Sequence, residues 1–314
     1  MSERRKLGIV FKLLPVEKVI LLYIFLTGLL EISFYSKLPG VSIHLFYRLV
    51  LVFVVLILAA YGNYQNKKSI KTVRIFFPFL LLGFFYIETD YLNNLFSPEN
   101  LDPLISGWET FIFGFQPALS FAGVFHSNVF AELMYFGYIS YFILYIGIPL
   151  YIYLKVSETL GEKFSFIVIA SFLAYYIFFI IFPVGGPQFY HIEWSNKLPE
   201  GYIFGPVLRL MQDYGEGATA AFPSSHVSIS IILLIGSYIY AKKLVKIILP
   251  FIIILLFSTV YIRAHYVIDT IAGALLAPFL FWLTSKFYKT IKREAEVSIE
   301  IIEPTKKSTS EIMI

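Results

Sequence analysis

Eight stretches of this 314-residue chain are apolar for long enough to cross a bilayer, and nothing else in it limits the fold so strongly. A helix needs roughly 20 apolar residues to span hydrocarbon. Such runs lie near 18–35, 44–62, 75–92, 130–154, 164–182, 226–241, 244–262 and 266–285, the sixth being the shortest. The expected fold class is therefore all-α, a polytopic membrane helix bundle of about eight transmembrane helices. With 58% hydrophobic and only 15% charged residues, the chain has too little polar surface to face water over most of its length.

Charge placement predicts the topology, because cytoplasmic loops retain Lys and Arg. Arg4, Arg5, Lys6, Lys12 and Lys18 precede or open the first run, and Lys67, Lys68, Lys71 and Arg74 sit between the second and third. Lys155 and Lys163 follow the fourth, Lys242, Lys243 and Lys246 follow the sixth, and Lys286, Lys289, Lys292, Arg293, Lys306 and Lys307 follow the eighth. Only Lys37, Arg48, Lys197, Arg209 and Arg263 of the 25 basic residues fall elsewhere. An even number of spans then puts both termini in the cytoplasm. The Arg4–Lys6 cluster before an apolar run resembles a signal peptide, but no small-residue cleavage site follows, so the first helix is expected to be retained.

Two outer connections, 93–129 and 183–225, are too long to be turns. Pro103 to Pro117 is apolar but broken by Gly and Pro, which suits a helix lying in the interface and bordering a cavity. The organisation expected is N-terminal transmembrane helices over 1–99, a catalytic membrane domain over 100–285 and a disordered cytoplasmic tail over 286–314. The absence of cysteine excludes disulfides, thiolate metal sites and cysteine nucleophiles. No basic stretch interleaved with aromatics points to nucleic acid.

Ionisable groups at membrane depth are costly, which draws attention to polar residues at the outer ends of the later helices. They cluster at Phe182 to His191, which contains Gly185-Gly186-Pro187-Gln188, at Phe222-Pro-Ser-Ser-His226, and at Ser258 to Asp269. One descending and one ascending span separate His226 from His265, so both return to one surface. His265 and Asp269 are spaced i, i+4, about 6 Å apart on one face of a helix, where a carboxylate can fix the imidazole tautomer. An imidazole so held is a nucleophile towards phosphorus, and a second histidine can protonate the departing oxygen. Pro223-Ser224-Ser225 at a helix start supplies free amides and the positive dipole end for phosphate oxygens.

These segments resemble the type 2 phosphatidic acid phosphatase superfamily, with its Pro-Ser-x-His and His-x-x-x-Asp elements. Phe222 to His226 and Ser258 to Asp269, with Thr259, are most similar to the inositol phosphorylceramide synthase branch, as is Asp102 to Phe115 with Glu109. The resemblance covers roughly 100–280 and leaves out the first three helices. It implies that His265 attacks phosphorus, Asp269 orients it and His226 protonates the leaving group, with no metal and no cofactor. The superfamily's phosphatases carry an Arg where Thr259 stands and a Lys-and-Arg-Pro element where Gly186-Pro187-Gln188 falls, so two phosphate-clamping cations are missing. Arg263 is the nearby replacement, with Arg209 a weaker one. Ser224, Ser225, Arg263, Gly186 and Gln188 are the candidate substrate-binding residues.

Three functions follow from these residues. The first is a phosphotransferase that passes a phosphoryl group from a phospholipid or lipid phosphate through phosphohistidine to a hydroxyl acceptor. The second is a lipid phosphate phosphatase, in which water replaces the acceptor. The third is a transporter or lipid-binding scaffold, suggested by Glu31, Glu88, Asp90 and Glu132 in or near spans. The membrane expected is a bacterial inner membrane, with the site facing outward.

Overall fold

The computed structural model describes residues 12–195, 198–215 and 217–302. Every apolar run becomes a helix and no strand forms among the described residues, because a backbone in hydrocarbon must bond to itself. The helices are α1 (Pro15–Ser33), α2 (Val41–Gln65), α3 (Lys68–Leu92), α4 (Asp102–Phe113), α5 (Pro117–Val124), α6 (Asn128–Tyr151) and α7 (Glu158–Ile181). After the short α8 (Pro187–Tyr190) and α9 (Ile192–Ser195) come α10 (Phe204–Gly215), α11 (Ser225–Tyr240), α12 (Lys242–Tyr261) and α13 (Val267–Ile302).

Among the described residues, six helices are long and apolar enough to cross a membrane: α2, α3, α6, α7, α12 and α13. The other two expected spans fall short by that measure. Helix α11 has 16 residues, and α1 carries Glu17, Lys18 and Glu31. The carboxylates of α1 are neutralised inside the bundle: Arg74 reaches Glu17 at 2.6 Å, and Arg48 reaches Glu31 at 2.7 Å and Glu88 at 2.8 Å. Glu31 and Glu88 are thus members of one buried ion cluster that ties α1, α2 and α3 together. Helix α13 runs on to Ile302, so the boundary expected at 286 falls inside a helix, because no Gly or Pro interrupts residues 286–302 to stop the turn. Residues 1–11 and the tail beyond 302 lie outside the described residues.

Helix α7 is the centre of the bundle, with 78% of its apolar stretch buried, and it packs against α1, α3, α6, α11 and α13. Small residues permit the closest approaches. A Cβ on Gly236 of α11 would lie 2.1 Å from the Phe164 ring of α7, and one on Gly137 of α6 would lie 2.4 Å from Ile254 of α12.

The segment expected to lie in the interface is helical and folds as two helices, α4 and α5. Gly114, with φ +76°, ends α4, and Pro117 opens α5. Helix α4 turns Asp102, Ile105, Ser106 and Glu109 inward and leaves Trp108, Phe111 and Ile112 exposed. Its polar face therefore meets the protein and its apolar face is free to meet lipid.

Candidate active site

The chain enters α11 through Phe222-Pro223-Ser224. Ser224 is the N-cap: its Oγ accepts the Val227 amide at 3.3 Å. That leaves the amides of Ser225 and His226, the first two of the helix, without intrahelical acceptors. The Ser224 amide itself donates to the Asp269 carbonyl at 3.0 Å. Helix α13 can come this close because residue 273 is Gly; a Cβ there would lie 2.3 Å from the Ser224 carbonyl oxygen.

Between α12 and α13 the chain reverses through Arg263, which takes φ +65°. Neighbouring backbone holds the loop in place. The His265 amide donates to Thr259 O at 3.1 Å, and the Gln188 amide donates to Arg263 O at 2.9 Å. Gly186, at φ +92°, lies so near Ala264 that a Cβ would sit 2.5 Å from its carbonyl oxygen. Gly186 and Gln188 thus join the site as supports of this loop, with their amides already engaged, and the Gln188 side chain accepts from Gln212 at 2.8 Å.

His265 does not share a helix face with Asp269, because α13 begins only at Val267. Asp269 sits in the first turn and its Oδ2 accepts the Tyr266 amide at 2.8 Å, satisfying a helix-start donor in the manner of a capping box. The same oxygen is 3.6 Å from His265 Nδ1. Ala221 O is nearer to that nitrogen, at 2.8 Å. A carbonyl can only accept, so Nδ1 carries the proton and, in the neutral ring, Nε2 holds the free lone pair. Nε2 faces His226 Nδ1 at 3.3 Å. The two histidines therefore meet, close enough for both to address one group bound between them.

His226 stacks on Tyr138, with ring centroids 4.8 Å apart, and lies 4.6 Å from Tyr141. With these it lines a cavity of about 350 Å³ whose other walls include Tyr86, Phe172 and Met211. The histidine pair and an apolar chamber are thus adjacent.

Arg263 is buried at 2% exposure, and its Nε and Nη1 have no hydrogen-bond partner among the described residues. It is not a snorkelling surface residue. Burial pushes its pKa down, opposed by the Tyr135 and Tyr261 hydroxyls. Such a cation is costly unless an anion joins it. Arg209, by contrast, is exposed and donates to Glu200 O at 2.9 Å. Tyr190 is exposed, and His191 Nε2 approaches Ser106 Oγ at 3.4 Å on the side of α4.

Two carboxylates of α4 clamp the loops around His265. Asp102 accepts the amides of Gly185 (2.7 Å) and Gly186 (2.8 Å) and the Tyr266 hydroxyl (3.1 Å). Glu109, one heptad on and therefore on the same face, accepts the Ile268 amide at 3.5 Å. The signal available in the sequence was two acids seven residues apart in an otherwise apolar interfacial segment. Ala221 left no such signal, since the atom that matters is a backbone oxygen.

Burial raises the Asp102 carboxyl despite its three donors. Burial first, and the nearby Asp269 charge in addition, push Glu109 up to about 7. An unfolded Glu titrates near 4.3, so the folded chain holds an extra proton between those values. The stability this gives is complete below the unfolded pKa and is lost as pH rises through about 7. Thermal melts in detergent should accordingly show a fall in stability between about pH 5 and 8, and Glu109→Gln should flatten that slope; a slope unchanged in the variant would assign it to other groups.

Comparison with known proteins places this architecture. A model of the PAP2 superfamily matches residues 104–283, more than half of the chain, taking in every residue of the His226–His265–Asp269 cluster and omitting α1 to α3. Searches of curated proteins and of solved structures give no match.

Proposed function

The chain belongs to the PAP2 superfamily, and we propose that it is a membrane phosphotransferase acting on a lipid phosphate or phosphodiester through a phosphohistidine at His265. Activity of a phosphatase or phosphotransferase type on phosphate esters is what the superfamily supplies. The observation that carries the finer reading is the approach of His265 Nε2 to His226 Nδ1 at 3.3 Å while Ala221 O holds the Nδ1 proton. In the first half-reaction the Nε2 lone pair bonds to phosphorus as the P–O bond to the leaving alcohol breaks, and His226 gives its proton to that oxygen. In the second, His226 takes the proton of an acceptor hydroxyl, whose oxygen bonds to phosphorus and releases Nε2. The amides of Ser225 and His226 and the guanidinium of Arg263 receive the phosphoryl oxygens, where charge develops. Asp269 and Ala221 hold the His265 ring.

The apolar cavity beside His226 supports a lipid donor whose chain lies between α3, α6 and α7. Similarity to the inositol phosphorylceramide synthase branch supports a hydroxyl acceptor, with α4 and α5 shielding the intermediate from water. The lysines and arginines at the opposite ends of the helices support an outward-facing site.

The proposal is tested by supplying labelled phospholipids to purified protein in a chelator, with and without inositol, other polyols and lipid alcohols. An acceptor-dependent phospholipid that vanishes in His265→Ala is expected. Free phosphate as the His265-dependent product would make the enzyme a phosphatase, and no His265-dependent product from any donor would defeat the enzymatic reading. Arg263 gives a separate check. Arg263→Gln should lower kcat/KM by roughly 10²–10³-fold, the usual cost of one oxyanion donor. Its melting temperature should hold or rise, because an uncompensated buried charge has been removed; a large fall in melting temperature would make Arg263 structural.

A further inference from the structure

A second concave site lies at the other end of the bundle. The starts of α1, α3 and α7 converge there with the end of α2 and with Lys292 of α13 around a cavity of about 420 Å³. Lys292 is 25 residues along α13 from Val267, roughly 37 Å at 1.5 Å per residue, so the whole bilayer separates this cavity from the histidines.

Its lining holds Lys12, Lys18, Lys67, Lys71, Arg74 and Lys292. Glu162 pairs with Lys71 at 2.9 Å and Glu17 with Arg74 at 2.6 Å. Lys12, Lys18, Lys67 and Lys292 have no acidic partner among the described residues. Arg74 forms a fixed wall: it bonds Lys12 O at 2.9 Å and Asn63 Oδ1 at 3.3 Å, and fits only because residue 62 is Gly, where a Cβ would lie 2.5 Å from its side chain. Three helix N-termini add their positive dipole ends to the same space. Leu14, Pro15 and Ile291 line it as well, and the exposed Tyr61 and Tyr64 stand beside it as aromatics do at headgroup level.

From this placement we propose that the cavity binds the phosphate headgroup of an anionic phospholipid in the leaflet opposite the catalytic histidines. Basic pockets between transmembrane helices recognise such headgroups. The mixed lining favours a lipid over a free phosphate, since the apolar wall receives the start of the acyl chains. The site uses none of the catalytic residues and does not rest on the proposed reaction.

The test is native mass spectrometry of the full chain in detergent, titrated with phosphatidylglycerol or phosphatidylcholine, for wild type and a Lys12→Ala/Lys67→Ala/Lys292→Ala variant. Retention of one phosphatidylglycerol in preference to phosphatidylcholine is expected, with affinity falling roughly a hundredfold in the variant. A Lys→Arg version at the three positions should keep binding, which separates lost charge from lost fold. Arg263→Gln should retain the lipid, so a failed active-site reading leaves this result standing. Equal retention of the two lipids, unchanged affinity in the alanine variant, or displacement of the lipid by millimolar inorganic phosphate would each overturn the proposal.

Discussion

Replacing His265 with alanine should lower turnover by on the order of 10⁵–10⁶-fold, the loss seen when a covalent nucleophile is removed from an otherwise intact site. The expectation rests on how the ring is held. Its Nδ1 proton is committed to Ala221 O at 2.8 Å, with Asp269 at 3.6 Å, and only Nε2 remains to act. Asp269→Asn should cost far less, because the carbonyl still fixes the tautomer and the side-chain amide oxygen can still accept the Tyr266 amide. Initial-rate assays of both variants with one labelled phospholipid measure the difference. Equal losses would place the control of the ring on Asp269 instead of Ala221.

Replacing His226 with glutamine should lower turnover of lipid donors by roughly 10²–10⁴-fold, the range for a positioned general acid. The distinguishing feature is the leaving group. An aryl phosphate ester expels an anion that needs no proton, so the first half-reaction should be nearly unimpaired while the second, which needs His226 as base, stays slow. Phosphoenzyme should then accumulate, visible as a burst of phenol in rapid-mixing experiments. An absent burst, with the first half-reaction slowed equally for aryl and alkyl leaving groups, would leave His226 a binding residue beside Tyr138 and Tyr141.

The transmembrane helices and the meeting of the two histidines were legible in the sequence because each has a one-dimensional signature. Apolar length reports helices in lipid, and two spans between His226 and His265 return both to one surface. The i, i+4 reading of His265 and Asp269 was right about proximity and wrong about its cause. Arg263, at φ +65°, turns the chain so that the helix starts after the histidine, and Asp269 becomes a helix-start acceptor. No spacing rule reports a left-handed residue or a backbone carbonyl such as Ala221 O. Arg263 was visible as a charge near the site, but whether it faces water or phosphate depends on burial, which only the packed loop decides. Helix α1 can carry Glu17 and Glu31 among its apolar residues because they are paired in three dimensions with Arg74 and Arg48, partners 57 and 17 residues away in the sequence.

Asp102 and Glu109 tie α4 to the loops around the histidine pair, at Gly185–Gly186 and Tyr266–Ile268, so in the proposed reaction the element that shields the site would also set the position of the nucleophile. Shielding and positioning of this kind suit an enzyme that must exclude water until an acceptor arrives.

The claim at the centre of this account is a covalent phosphohistidine, and the most direct measurement is the mass of the protein, quenched in alkali within the burst, after mixing His226→Gln with an aryl phosphate ester. One acid-labile phosphoryl group is expected, mapped to His265 and absent when His265 is also replaced. A phenol burst with no phosphoryl group on the protein, or with the group on any other residue, would contradict it.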